Sequence, residues 1–192
     1  MKNISKLIDN YLEESIQAAT AQKNLSEAIE EISLVCIKSI ESGGKLILFG
    51  NGGSASDSQH IAAELIGRFQ MDRKPLPAIS LSSNISVITA LGNDFGYESI
   101  FLKQIQALVK KEDVVIALST SGTSPNILEA LDYLKKENLT TIGLTGNDGG
   151  KMKDLCDYIV MCPSSKPSLI QQSHITIGQL LCLIIEDYFF NN

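Results

Sequence analysis

The chain has no tryptophan and only two histidines in 192 residues, so any chemistry that needs an imidazole rests on His60 or His174. Positive charge is scarce as well. Sixteen Lys and Arg stand against 22 Asp and Glu, a formal net charge of -6. A nucleic-acid partner is not expected, because phosphate-backbone binders need a basic face to displace counterions. Any anion has to be captured locally. The four cysteines, Cys36, Cys156, Cys162 and Cys182, form no CxxC pair, which excludes a zinc knuckle or thioredoxin-type motif and leaves buried free thiols as the expectation. The amino terminus lacks the apolar segment of a signal peptide, and the apolar run LLCLII is far short of a membrane span. We expect a cytoplasmic protein with no membrane partner. Repeats, low-complexity segments and linkers are also missing.

What is present reads as a globular α/β protein. Hydrophobic residues make up 44% and charged residues 20%. A chain of this size buries roughly 70% of its unfolded surface in one core. One domain over residues 1–192 is expected, with N-terminal helices in 1–42 and a sandwich with a C-terminal helix in 43–192. Apolar residues recur at helical spacing between Ser5 and Glu41, giving two amphipathic helices that stop at Gly43-Gly44. Short apolar runs follow at 45–49, 78–81, 114–118, 141–144 and 158–161, most of them separated by helical patterns. That alternation predicts a three-layer, doubly wound sandwich around a parallel five-stranded sheet. The final helix, from about Leu169 to Phe190, is apolar on several faces and is a candidate for burial between subunits.

In such sheets ligands sit at the carboxyl ends of the strands. The first strand runs into Gly50-Asn51-Gly52-Gly53-Ser54, where glycines let backbone N–H groups approach an anion and Ser54 is placed to cap the next helix. This loop fits neither the Walker pattern nor GxGxxG. The third strand ends in Ser119-Thr120-Ser121-Gly122-Thr123-Ser124-Pro125-Asn126, with a helix expected from near Ile127. Its hydroxyls converge on a helix amino terminus, where the dipole favours negative charge. The stretch Thr145-Gly146-Asn147-Asp148-Gly149-Gly150 reads as turn chemistry. His60 and Glu64 follow the first loop, and four helical residues turn about 400°, so both share one face and can grip a metal or a substrate. Asn93-Asp94 reads as a polar pair in a glycine-flanked turn.

The combination GNGGSASDSQHIAAEL, GNDFGY, STSGTSPNILEAL, LTGNDGGKM and IQQSH resembles the bacterial phosphoheptose isomerases of the SIS (sugar isomerase) superfamily, over nearly the whole chain and in the right order. The resemblance implies a flavodoxin-like sandwich, a homotetramer and an aldose–ketose isomerase. Its reaction would convert sedoheptulose 7-phosphate to D-glycero-D-manno-heptose 7-phosphate, toward the heptose of lipopolysaccharide or capsule. It implies substrate binding by Asn51, Gly52, Gly53, Glu64, Asn93, Asp94, Ser119, Thr120, Ser121, Ser124 and Gln171, and zinc ligation by His60, Glu64 and Gln171. The family's fourth ligand, which is also its catalytic acid or base, is a histidine eight residues after that glutamine. Here that position holds Gln179. A carboxamide can orient an oxygen or coordinate weakly, and it cannot titrate. His174 is rotated about 140° from position 179 on a helix and reads as a packing or hydrogen-bonding residue. The resemblance also admits a non-catalytic paralogue that binds the replication initiator, and an isomerase of another phosphosugar. The retained Glu64 favours the enzyme, with Glu64 and Gln179 as its catalytic pair.

Overall fold

The computed structural model describes residues 3–146 and 148–191. Two helices come first, α1 (Ile4–Ala21) and α2 (Ser26–Glu41). Asn3 starts α1 by accepting a hydrogen bond from the Lys6 N–H at 3.2 Å. The order then runs β1 (Leu46–Gly50), α3 (Gly53–Ile66), β2 (Ala78–Ser80), α4 (Ile85–Phe95), α5 (Ile100–Leu108), β3 (Val114–Ser119), α6 (Pro125–Lys136), β4 (Thr141–Thr145), β5 (Tyr158–Met161) and α7 (Pro167–Phe190).

All five strands are parallel, in the order β2-β1-β3-β4-β5. Their apolar runs are continuous because both faces of the sheet are covered. Successive side chains point to opposite faces, so Leu46 and Leu48 join one core while Ile47 and Phe49 join the other. Helices α2, α3 and α7 cover the first face, and α5 and α6 cover the second. The chain reverses its direction of winding between β1 and β3, and at such a switch point the loops leaving two neighbouring strands diverge and open a crevice.

Between β4 and β5 the described residues form only the short 3-10 turn Met152–Asp154. Two expectations change. Helix α6 begins at Pro125 rather than near Ile127, because proline's fixed φ suits the first helical position. The Asn93-Asp94 pair lies in the last turn of α4, not in a loop. Among the described residues α7 is long and apolar enough to cross a membrane by composition, yet half of that stretch is buried in this fold against α2 and α3. Helix α1 is the opposite case, since Ile4, Leu7, Ile8, Leu12 and Ile16 are all exposed.

Candidate active site

The loops after β1 and β3 meet at the switch point. Asn51 and Asn126 form a reciprocal amide pair, each carboxamide nitrogen donating to the other's oxygen at 2.9 Å. The Tyr97 hydroxyl adds a third contact by donating to the Asn51 oxygen at 3.1 Å. Gly52 takes the helix-cap position of α3 with φ of +55°, a backbone that side chains rarely adopt. Ser54 therefore does not cap the helix. It turns inward and is buried.

In the second loop Ser119 Oγ accepts from the Gly122 N–H at 3.2 Å and lies 3.5 Å from Ser124 Oγ. The next loop braces this one from behind. Gly122 has φ of +61°, and a Cβ there would stand 2.3 Å from the Gly149 carbonyl oxygen. The N–H groups of Lys151 and Met152 both donate to the Gly122 carbonyl. The described residues of the 145–150 stretch thus brace the site from behind, and none of them lines the cavity; Asn147 lies outside the described residues.

Between the loops is a cavity of about 60 Å³, lined by the polar residues Asn51, Ser54, Ser119, Thr120, Ser124 and Gln171. It has room for one small anionic group, roughly two waters by volume. Ser121 and Thr123 stand outside it, exposed and hydrogen-bonded to each other at 3.1 Å. A larger hollow of about 450 Å³ between α2 and α7 is mainly apolar and far from the strand tips.

His60 and Glu64 share one face of α3 as expected, with His60 Nε2 3.0 Å from Glu64 Oε1. Their side chains are 49% and 25% exposed, so both can be reached from solvent. One turn before His60, burial raises the Asp57 carboxyl, and His60 opposes that shift. Helix α7 packs beside α3, with Gln171 against Gly53 and Gly178 against Ile61. Gln171 belongs to the cavity rather than to the His60–Glu64 pair. Gln179, next to Gly178, is exposed. Asn93 donates to Asp94 Oδ1 at 2.8 Å, and both are exposed on α4. His174 is fully buried, and burial pushes its pKa down to about 4 against a weaker opposing hydrogen bond with the Thr145 backbone.

The zinc expectation can be tested against these donors. His60 and Glu64 make a direct hydrogen bond, and no hydrogen bond joins Gln171 or Gln179 to either of them among the described residues. Among the described residues no group of three or more His, Cys, Asp and Glu converges there either. One imidazole, one carboxylate and two amide oxygens are a poor match for an ion that prefers nitrogen and sulfur. The set does not fit zinc.

Sequence reasoning missed Asn126, Ser54 and Tyr97. Asn126 follows the Ser-Pro at the start of α6, the position where a side chain faces back toward the neighbouring strand's loop, and that was its available signal. Tyr97 gave none.

A small, hydroxyl-lined cavity at the switch point of a parallel sheet, beside two helix amino termini, is a site for a small anion. The chain belongs to the SIS domain family, whose sequence profile it matches over residues 10–146. Its relatives are narrower in kind. The chain is 48% identical over 175 residues to a phosphoheptose isomerase of a Nitratiruptor species, covering 88% of this chain and 94% of that one. It is 44% identical over 193 residues to phosphoheptose isomerase 2 of Campylobacter jejuni, covering 99% and 96%. The solved phosphoheptose isomerases of Francisella tularensis and Neisseria gonorrhoeae superpose with TM-scores of 0.92 and 0.90, at 37% and 34% identity. They are covered in full, over 97% and 96% of this chain.

Proposed function

We propose that the protein is a phosphoheptose isomerase that converts D-sedoheptulose 7-phosphate to D-glycero-D-manno-heptose 7-phosphate in heptose biosynthesis. One observation carries the reading: a hydroxyl-lined anion cavity sits at the amino-terminal end of α3, and the carboxylate of Glu64 sits further along the same helix.

The phosphate docks between the two loops, where Ser119, Thr120 and Ser124 offer neutral donors and the α3 and α6 termini favour negative charge. Eleven residues separate Gly53 from Glu64, about 16 Å along the axis. Glu64 leans back one turn to meet His60, which brings its carboxylate to roughly 10 Å from the loop. An open seven-carbon chain with its phosphate, built from bonds near 1.5 Å, extends about as far.

Glu64 removes a proton from C1 of the ketose, and the electron pair moves through C1–C2 onto the C2 oxygen to give an enediolate. The proton returns at C2 while a second proton leaves O1 and joins O2, so the aldose forms with no net change. Gln179 can orient these oxygens through its carboxamide but cannot carry the second proton. This chain is accordingly expected to be slower than a relative with an imidazole at that place.

The exposed apolar side chains of α1 support assembly into the tetramer that the resemblance implies, with Asn93 and Asp94 on the exposed end of α4 offered to a neighbouring subunit's site. A sugar-phosphate substrate is consistent with work in the cytoplasm. Size-exclusion with light scattering tests the assembly.

The activity is tested by incubating the protein with sedoheptulose 7-phosphate in deuterated water. Wild type is expected to incorporate deuterium and form aldose, Glu64→Gln to lose about 10²- to 10⁴-fold, and Gln179→His to gain. A wild type that neither exchanges nor isomerises, in the presence or absence of added zinc, would refute the proposal.

A further inference from the structure

Helix α3 carries the anion loop at its first residue and Glu64 in its last turn, so the aim of the carboxylate depends on how that last turn is held. The final carbonyls of a helix have no partner within it. Here one buried guanidinium takes two of them, with the Gly67 carbonyl just beyond the helix, while the Ala63 carbonyl accepts from the Gly67 N–H and that of Leu65 also accepts from the Leu76 N–H. Arg73 Nη2 donates to the carbonyl of Glu64 itself at 2.9 Å, and Nη1 donates to those of Leu65 at 2.7 Å and Gly67 at 3.2 Å.

The guanidinium is in turn fixed by Glu186 of α7, which accepts from Arg73 Nε at 2.8 Å. Glu186 also accepts from the backbone N–H groups of Phe69, Gln70 and Met71 at 3.1, 2.7 and 3.1 Å. Both side chains are 1% exposed. Burial alone would raise the Glu186 carboxyl. The N–H groups of Gln70, Phe69 and Met71 and the Arg73 guanidinium outweigh it and hold the group below the usual carboxylate range. The Phe190 ring lies 5.7 Å from the guanidinium carbon. A buried ion pair is by itself weak evidence of stabilisation, since desolvating two charges costs about as much as pairing them returns. This pair does something more specific: it ties the main chain of Glu64 to α7.

We propose that Arg73, oriented by Glu186, is a positioning residue that fixes the last turn of α3 so that the Glu64 carboxylate faces the reacting carbons. The inference rests on the isomerase reading above. Lysine has one ammonium and no planar fork, so Arg73→Lys keeps the charge but cannot hold Glu186 and the carbonyls of Glu64, Leu65 and Gly67 together in the same fixed geometry.

The test measures kcat, KM and carbon-bound deuterium exchange with sedoheptulose 7-phosphate in the full-length wild type, Arg73→Lys, Glu186→Gln and Phe190→Leu. Arg73→Lys is expected to lower kcat and the exchange rate about 10- to 100-fold, the scale of a small misplacement of a reacting group, with KM within about twofold because the anion loop is at the other end of the helix. Glu186→Gln, which keeps an acceptor without its charge, should fall between Arg73→Lys and wild type. Phe190→Leu, which removes the stacking ring and leaves the carbonyl contacts, should lower thermal stability with kcat unchanged. A wild-type kcat in a folded Arg73→Lys, or kcat and KM worsening together by similar factors, would overturn the proposal. Should Arg73→Lys not fold, Glu186→Gln decides by the same split. An inactive wild type would refute the isomerase reading instead, so the two failures are distinct.

Discussion

Lowering the pH should weaken the fold through one residue, His174. Its ring is fully buried, the Thr145 backbone only partly offsets the effect of that burial, and its pKa drops from 6.5 to about 4. Between those values the unfolded chain binds a proton that the folded chain refuses, so stability falls as the pH drops from about 6.5 and the loss levels off below about 4. The shift of about two and a half units corresponds to roughly 3 kcal/mol when complete, and to about 1 kcal/mol at pH 5.5. Against a total stability of about 5–15 kcal/mol, that is a large fraction. The assay is urea unfolding of wild type and His174→Leu at pH 7, 5.5 and 4.5. Leucine is close in volume and cannot titrate, so the stability difference between the two proteins should grow by about 1 and then 2–3 kcal/mol in the variant's favour across the series. The Glu186 carboxylate, held low, weakens both proteins alike as it protonates. A difference that stays constant with pH would refute the reasoning.

Gly53→Ala would place a methyl 2.6 to 2.8 Å from the Gln171 carboxamide and push that side chain out of the cavity, so KM for the sugar phosphate should rise about tenfold with little change in melting temperature. Gly178→Ala would bring a methyl to 2.3 Å from Ile61 Cδ1, and overpacking of about 1–3 kcal/mol should exceed the roughly 1 kcal/mol gained in helix propensity. Adding Ile61→Val, which removes that Cδ1, should restore part of the lost stability in calorimetry. All four thiols are pushed up to about 12 by burial, so a thiol reagent at neutral pH should label the native protein slowly, with the half-buried Cys156 first, and label every cysteine in urea.

The sheet was legible because a strand buried on both faces leaves an unbroken apolar run, and every such run became a strand within a residue of where the pattern put it. Helix α4 was harder to read. Its described residues include none that is fully buried, and its end, LGNDF, has the composition of a turn. The better signal was at its start, where Asn84 accepts from the Val87 N–H at 3.1 Å. Ser54 misled for a related reason, since a serine near a helix start usually caps it, and here Gly52 with its positive φ occupies that position.

The serine loop could be found in the sequence because its hydroxyls, its glycine and the proline opening α6 are consecutive. The contact of Gln171 with Gly53 joins residues 118 positions apart, and the pairing of Arg73 with Glu186 spans 113. Nothing local marks either. Arg73 in particular lies in RFQMDRKP, which reads as a polar surface loop, and only the fold turns it inward.

The account's central claim is that the sugar's phosphate rests between the loops after β1 and β3 while its first two carbons face Glu64. A crystal structure of Glu64→Gln soaked with sedoheptulose 7-phosphate tests it most directly. The phosphate is expected within hydrogen-bond distance of the Ser119 and Ser124 hydroxyls, with C1 and C2 beside the substituted carboxamide. A phosphate bound elsewhere, or residue 64 turned away from C1 and C2, would contradict it.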